Sequence, residues 1–203
     1  VQVRILGVDP GSRKTGWGVV DVDGSRVVHV DNGVLMLSND DDLAIRLTDL
    51  AHRLNDVVTT YAPDRVAVED VFVQKGARSA LILGQARGCA LTTLGLRGLP
   101  VRSYTTSMVK QRVTGGGRAG KEQVAAMVTT LLSLPEYPFE DAADALAVAI
   151  CAAFDNPVTI RSGPSAPGGS AALLAMATSA QRAKKKGRDA LLALAVAQGK
   201  ALG

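Results

Sequence analysis

Cysteine is scarce: Cys89 and Cys151 are the only two in 203 residues. Two thiols in apolar surroundings are too few for a disulfide framework or a zinc site, and they read as buried reduced groups. Long hydrophobic runs are missing as well. Hydrophobic residues make up 47% of the chain, yet no uninterrupted apolar stretch approaches the roughly 20 residues of a membrane span. The N-terminus reads as a strand, not as a charged segment followed by an apolar signal core. These absences point to a globular, cytoplasmic protein with no membrane partner. Acids are missing from one block only. Residues 71–121 hold nine Lys and Arg and no Asp or Glu, whereas 122–156 hold acids and no base. The formal net charge of +4 therefore conceals a basic stretch beside an acidic one. That arrangement suits a polyanion whose backbone must approach metal ions, although a solvated surface that happens to lack acids would look the same.

The chain begins with an apolar run, residues 3–9, that ends in Asp9. Gly11, Gly16 and Gly18 punctuate a tight connection to a second strand, 16–20. A turn at Asp23-Gly24 leads to a third, about 26–37, and the three read as an antiparallel meander. Residues 39–42 supply an N-cap and first-turn acids to a helix running to about Tyr61, with Leu43, Leu47, Leu50 and Leu54 on one face. Ala62-Pro63-Asp64 breaks it, and 65–69 is a buried strand. A long helix over about 77–96 follows. Gly84 and Gly88 share one of its faces, which would let another backbone come close, although each glycine weakens a soluble helix. A strand over 99–104 comes next, then a short helix capped by Thr105-Thr106-Ser107 and reaching about Val113. A flexible Gly115-Gly116-Gly117 loop, a helix over 121–134 and a last core helix over 140–154 complete the order. The succession β-β-β-α-β-α-β-α-α-α predicts an α/β fold, a mixed sheet flanked by helices. Residues 162–170 have linker composition, and an Ala/Leu-rich stretch interrupted by Lys184-Lys185-Lys186 follows. One domain is expected over 1–156, with a flexible basic tail over 157–203.

Four acids carry the chemistry. Asp9 ends the first buried strand, and Glu69 ends the run Val66-Ala67-Val68-Glu69. Asp141 and Asp144 lie three apart on one helix face, where like charges repel. Alanines surround them, so at least one carboxylate should be partly buried. Acids favoured by a helix N-terminus would account for Asp141 well and for Asp144 less well. Each acid alone is a weak indication. Together, two strand ends and one helix face can gather four carboxylates from distant parts of the chain. Crowded carboxylates need cations between them, and two Mg²⁺ ions can hydrolyse a phosphodiester.

Six motifs in order sharpen this. They are Gly7-Val8-Asp9-Pro10-Gly11-Ser12 with Thr15-Gly16-Trp17-Gly18; Val68-Glu69-Asp70-Val71-Phe72; Ala77 to Leu81 with Leu83-Gly84-Gln85-Ala86-Arg87-Gly88; Val109-Lys110; Lys121 with Gln123-Val124; and Asp141-Ala142-Ala143-Asp144-Ala145-Leu146-Ala147. On these, over residues 3 to about 154, the chain resembles the RuvC-type Holliday-junction resolvases. The resemblance implies a ribonuclease-H-like mixed five-stranded sheet flanked by helices. It implies catalysis and metal binding by Asp9, Glu69, Asp141 and Asp144, with His replacing Asp141 in some members. Two Mg²⁺ ions per site are expected, with Mn²⁺ as a substitute. A homodimer would bind a four-way DNA junction and nick two opposing strands, leaving 5′-phosphates and 3′-hydroxyls, in recombination and repair. The junction branch-migration helicase complex is the implied protein partner.

The resemblance also suggests roles beyond the acids. Phe72, directly after the Glu69 strand, would wedge against an unstacked base; as a core residue it would instead cap the sheet. Lys75, Arg78, Lys110 and Arg118 would hold phosphates. Lys121 is a candidate for stabilising charge near the scissile phosphate, although a solvated first-turn lysine accounts for it as well. Gly84 and Gly88 would form the dimer interface, with Arg87 as a possible contributor, and Trp17 is expected in the core. Two departures put side-chain contacts in doubt: Gly76 stands where relatives often have Asn, and Gly116 is the centre of a loop that relatives fill with Gly-Asn-Gly. Two rival readings exist. A sugar-kinase or actin-like ATPase also opens with a strand ending in Asp, but it needs a second phosphate loop and a longer core. A branched-DNA-binding module that does not cut would lack one of the acids, and all four are present.

Overall fold

A computed structural model of the protein describes residues 2–37, 42–70 and 76–155. The tail, Phe72 and Lys75 lie outside the described residues. Within them the elements are β1 (Val3–Asp9), β2 (Lys14–Asp23), β3 (Arg26–Met36), α1 (Leu43–Tyr61), β4 (Arg65–Asp70), α2 (Ala77–Leu96), β5 (Val101–Thr105), α3 (Thr106–Thr114), α4 (Lys121–Leu131) and α5 (Glu140–Asp155). The sheet has five strands in the order β3-β2-β1-β4-β5. The first three form the expected antiparallel meander, and β4 and β5 add to β1 in parallel. The fold is thus the mixed five-stranded sheet flanked by helices that the order of elements predicts.

Strand side chains alternate between the two faces of the sheet, and two cores form accordingly. Val3 and Ile5 of β1, Val20 and Val22 of β2 and Ala67 of β4 pack with α3, α4 and α5. Leu6 and Val8 of β1, Val19 of β2 and Val66 and Val68 of β4 pack with α1 and α2. The apolar stripe of α1 is buried at Leu50 and Leu54 and half-buried at Leu43 and Leu47; Val57 and Val58 continue it in the core, and Asp42 caps the helix by accepting from the Ala44 N–H.

The α5 helix is the centre of the first core. Eleven of its residues from Ala142 to Ala153 are buried, which is why its alanine-rich sequence shows no clear polar face. It approaches the sheet closely because glycines line its path. A Cβ on Gly7 would stand 2.1 Å from the Ala145 carbonyl oxygen, and one on Gly18 would stand 2.6 Å from Leu146 Cδ2. Leu146 itself is fully buried, and its truncation to alanine would cost ~2–5 kcal/mol.

Three elements differ at their ends from the sequence expectation. The second strand extends from Lys14 to Asp23 because β3 pairs with it over its whole length, while β1 pairs with Gly16 to Val22. The fifth begins at Val101, since Pro100 has no N–H to give, although its carbonyl accepts from Val66. The α4 helix stops at Leu131, short of residue 134. Ser133 takes a left-handed conformation (φ 52°), and the Leu134 N–H turns back to the Thr129 carbonyl. This is a C-terminal cap made without glycine, so composition does not reveal it.

The Gly115-Gly116-Gly117 segment, expected to be flexible, is held by two side chains, Thr114 at Gly116 and Gln111 on either side of it. Gln111 donates to the Gly115 carbonyl and accepts from the Gly117 N–H. Trp17 is only partly buried at the edge of the second core, 5.2 Å from the Tyr61 ring. Cys151 is buried and Cys89 partly so, both free. No described helix is long and apolar enough to cross a membrane.

Candidate active site

The alternation that builds the two cores also places the acids. Asp9 has the parity of Ile5, and Glu69 that of Ala67, so both point to the α5 side of the sheet. The parallel register pairs Val8 with Val68, which sets the next residues, Asp9 and Glu69, side by side at the carboxyl ends of adjacent strands. On the same side, Asp141 and Asp144 occupy the first turns of α5. Its first turn is seated by Gly16 of β2, where a Cβ would lie 1.8 Å from the Asp141 carbonyl oxygen.

A cleft of about 260 Å³ opens there, lined by Asp9, Glu69, Thr106, Val109, Lys110, Lys121, Val124, Asp144 and Ala147. Three of the four acids therefore share its wall with two lysines of the basic block. Asp141 is outside the lining, yet its charge still acts on Asp9 and Asp144.

Burial, then the Glu69 charge and a hydrogen bond shared with Glu69, then Asp144 and Asp141, push the Asp9 carboxyl up to about 8. Asp144 is raised to about 6, chiefly by burial; Lys121 opposes the rise, while Glu69, Glu140 and Asp141 add to it. Two carboxyls that share a hydrogen bond must share a proton, unless a cation takes its place. The donors are carboxylate oxygens only, the chemistry of a hard divalent ion. Among the described residues no group of three or more acids, histidines or cysteines converges on one point as a finished metal site. Asp9, Glu69 and Asp144 line the cleft. Their carboxylate oxygens are the donor set that a hard cation takes.

The remaining site expectations fall in different places. Lys121, at the start of α4, reaches Glu140 Oε1 at 2.5 Å and Asp144 Oδ2 at 3.6 Å, so it is not a lysine pointing only into solvent. Arg78 and Arg118 are exposed on α2 and in the α3–α4 loop. Gly84 and Gly88 are exposed on α2, with nothing within 4 Å of a Cβ placed on either. Arg87, weighed for the dimer contact, makes contacts within its own chain. Its guanidinium turns back on its own chain, to Asp70 at 3.1 Å and Ser103 Oγ at 2.8 Å, bracing the end of β4 that carries Glu69.

Two residues at the cleft escaped sequence reasoning. Thr106 donates to Glu69 Oε1 at 2.6 Å; it sits in a Thr-Thr-Ser run that reads as a helix cap, but Thr105 alone does the capping, accepting from Met108. Glu140 precedes Asp141 and reads as one more first-turn acid. Only its spacing of four from Asp144 marked it as sharing a helix face with that residue.

Residues 5–152 match the family model described as crossover junction endodeoxyribonuclease RuvC. The chain belongs to that family. The RuvC of Trichlorobacter lovleyi is 52% identical over 162 residues, covering 80% of this chain and 91% of that protein. The RuvC of Citrifermentans bemidjiense is 53% identical over 147 residues, 72% and 90% of the two chains. Among solved structures, Thermus thermophilus RuvC in complex with its Holliday junction substrate superposes with a TM-score of 0.72 at 35% identity, covering 75% of this chain and 94% of that one. As a member of the RuvC family the protein is a crossover junction endodeoxyribonuclease, and membership implies that it depends on metal. The ATPase and non-cutting readings fall away with that assignment.

Proposed function

We propose that Asp9, Glu69, Asp141 and Asp144 are the catalytic acids and hold two Mg²⁺ ions, for which Mn²⁺ substitutes. The observation that carries this is the cleft itself: carboxylates from two adjacent strand ends and one helix line it together with Lys110 and Lys121. When bound, such ions supply an activated water and charge stabilisation at the departing 3′-oxygen, giving 5′-phosphate and 3′-hydroxyl ends. The chain's own part is to crowd the acids and bury Asp9 beside Glu69, so that these carboxylates would hold a cation as their counter-charge. Thr106 and Arg87 keep the Glu69 end of β4 in place. Lys121 sits beside Asp144 to meet the negative charge of the scissile phosphate.

The substrate of this reading is the four-way DNA junction, by extension from the Thermus thermophilus complex. Lys75, Arg78, Lys110 and Arg118 hold phosphates, and Phe72 wedges against an unstacked base near the crossover. A homodimer related by a twofold axis matches a twofold substrate and pairs the two cuts. Gly84 and Gly88 on the open face of α2 form its contact. A branch-migration helicase complex delivers the junction.

Nicking of a synthetic four-way junction in Mg²⁺ and in EDTA tests the site. Asp9→Asn, Glu69→Gln and Asp144→Asn should each abolish nicking while junction binding persists, because each removes one ligand charge and leaves the basic surface intact. Asp141→His should retain nicking. Substantial cutting by any of the first three would overturn the assignment.

A further inference from the structure

The first residue of α4, Lys121, and the first of α5, Glu140, meet at the mouth of the cleft. Lys121 Nζ lies 2.5 Å from Glu140 Oε1 and 3.6 Å from Asp144 Oδ2. Glu140 and Asp144 are one turn apart on α5, so the ammonium bridges two carboxylates on one helix face. Both helices are firmly seated, since Val124 and Val128 of α4 pack in the same core as α5. The side chains of Lys121 and Glu140 are nonetheless 68% and 69% exposed. A lysine this exposed has four rotatable bonds and would otherwise sample the solvent around the rim. Glu140 is not part of the cleft wall, whereas Lys121 and Asp144 are. Glu140 thus holds the ammonium from outside while Asp144 attracts it from inside. Lys14, at the start of β2, adds a second positive charge near Glu140.

We propose that Glu140 is a positioning residue for nicking: it keeps the Lys121 ammonium beside Asp144, where a non-bridging oxygen of the entering DNA phosphodiester meets it. The proposal rests on the reading of this cleft as the phosphodiester site. It differs from the other role open to Glu140, an acid favoured by the N-terminus of α5. That role would stabilise the helix whether or not Lys121 were present. It also differs from inhibition, in which Glu140 would withhold the lysine from DNA and its removal would speed the reaction.

The test is single-turnover nicking of a synthetic four-way junction by the full-length protein in Mg²⁺ at saturating enzyme. The variants are Glu140→Ala, Glu140→Gln, Glu140→Asp, Lys121→Ala and Glu140→Ala/Lys121→Ala, with junction Kd and Tm measured for each. Glu140→Ala and Glu140→Gln should slow nicking roughly two- to fivefold, the range that an exposed ion pair supplies, with Kd no weaker. The loss should be larger at low salt than at high salt, because salt screens an exposed pair. Glu140→Asp should recover part of the rate. In the Lys121→Ala background, Glu140→Ala should slow nicking no further. Equal slowing in both backgrounds, accompanied by a lower Tm, would assign Glu140 to the helix end and overturn the proposal. An unchanged or faster rate for Glu140→Ala would overturn it too. Any of these outcomes leaves the cleft assignment standing as long as Asp9→Asn is inactive; nicking by Asp9→Asn would instead remove that assignment.

Discussion

Gly16 of β2 and Asp141 of α5 are in contact through backbone: a Cβ on Gly16 would lie 1.8 Å from the Asp141 carbonyl oxygen and 2.5 Å from its carbonyl carbon. The start of the helix that bears two of the acids is thereby held against bare strand. A methyl group there must push α5 away from the sheet, carrying Asp141 and Asp144 with it. Gly16→Ala is expected to cost about 1–3 kcal/mol of stability through overpacking. Nicking should fall by about 100-fold, since a displacement of about 1 Å is enough for such a loss. Gly95→Ala, where nothing lies within 4 Å of the new carbon, should be neutral or stabilising by about 0.5–1 kcal/mol. Urea unfolding and nicking rates of the two variants check the contrast. A fully active Gly16→Ala would refute the close approach.

The crowded acids also predict how stability changes with pH. Asp9 is raised from 3.8 to about 8, so between these values the folded state binds a proton that the unfolded chain has released. Stability in EDTA therefore falls as pH rises through that window. Asp144, raised from 3.8 to about 6, adds to the fall in its lower half. Asp9→Asn removes the larger contribution. Its Tm advantage over the parent protein should be near zero at pH 4 and should grow to pH 8, reaching about 1–3 kcal/mol in stability terms. Mg²⁺ should narrow the difference by stabilising the parent alone. Thermal melts across pH, with and without metal, read both effects. A Tm difference that does not vary with pH would refute the raised carboxyl.

On the α2 face, structure sharpens the assembly prediction. Gly88 is exposed and a Cβ there meets nothing within 4 Å, so a larger side chain is not opposed by the protomer's own packing. Gly88→Leu should leave the protomer folded, shift it towards monomer on sizing and abolish paired nicking. An unchanged dimer affinity would place the interface elsewhere.

The charge distribution predicts separate roles for core and tail. Residues 157–203 hold seven Lys and Arg against one acid, while 1–156 hold 16 against 18. Truncation after Asn156 should flatten the dependence of duplex affinity on salt, because fewer counterions are released. Metal-dependent nicking at saturating protein should persist. A truncated protein with an unchanged salt slope and a lower Tm would show instead that the tail stabilises the core.

The amino-acid sequence by itself determined the element order, the strand parity of Asp9 and Glu69 and the shared helix face of Asp141 and Asp144. These follow from periods of 2 and 3.6 residues and need no knowledge of neighbours. It also determined the apolar stripe of α1 and the glycines at positions 7, 16 and 18, although not what those glycines would touch. Tertiary structure decided the rest. It seated α5 in the glycine-lined path, set the parallel register of Val8 with Val68 and turned Arg87 inward to Asp70 and Ser103. It brought Thr106 to Glu69 across 37 residues and Lys121 to Glu140 across 19. Such contacts depend on the distance and rotation between packed elements, which local patterns do not encode. The α4 cap at Ser133 was hidden for a related reason: a left-handed serine is recognised by its backbone, and its identity gives no sign of it.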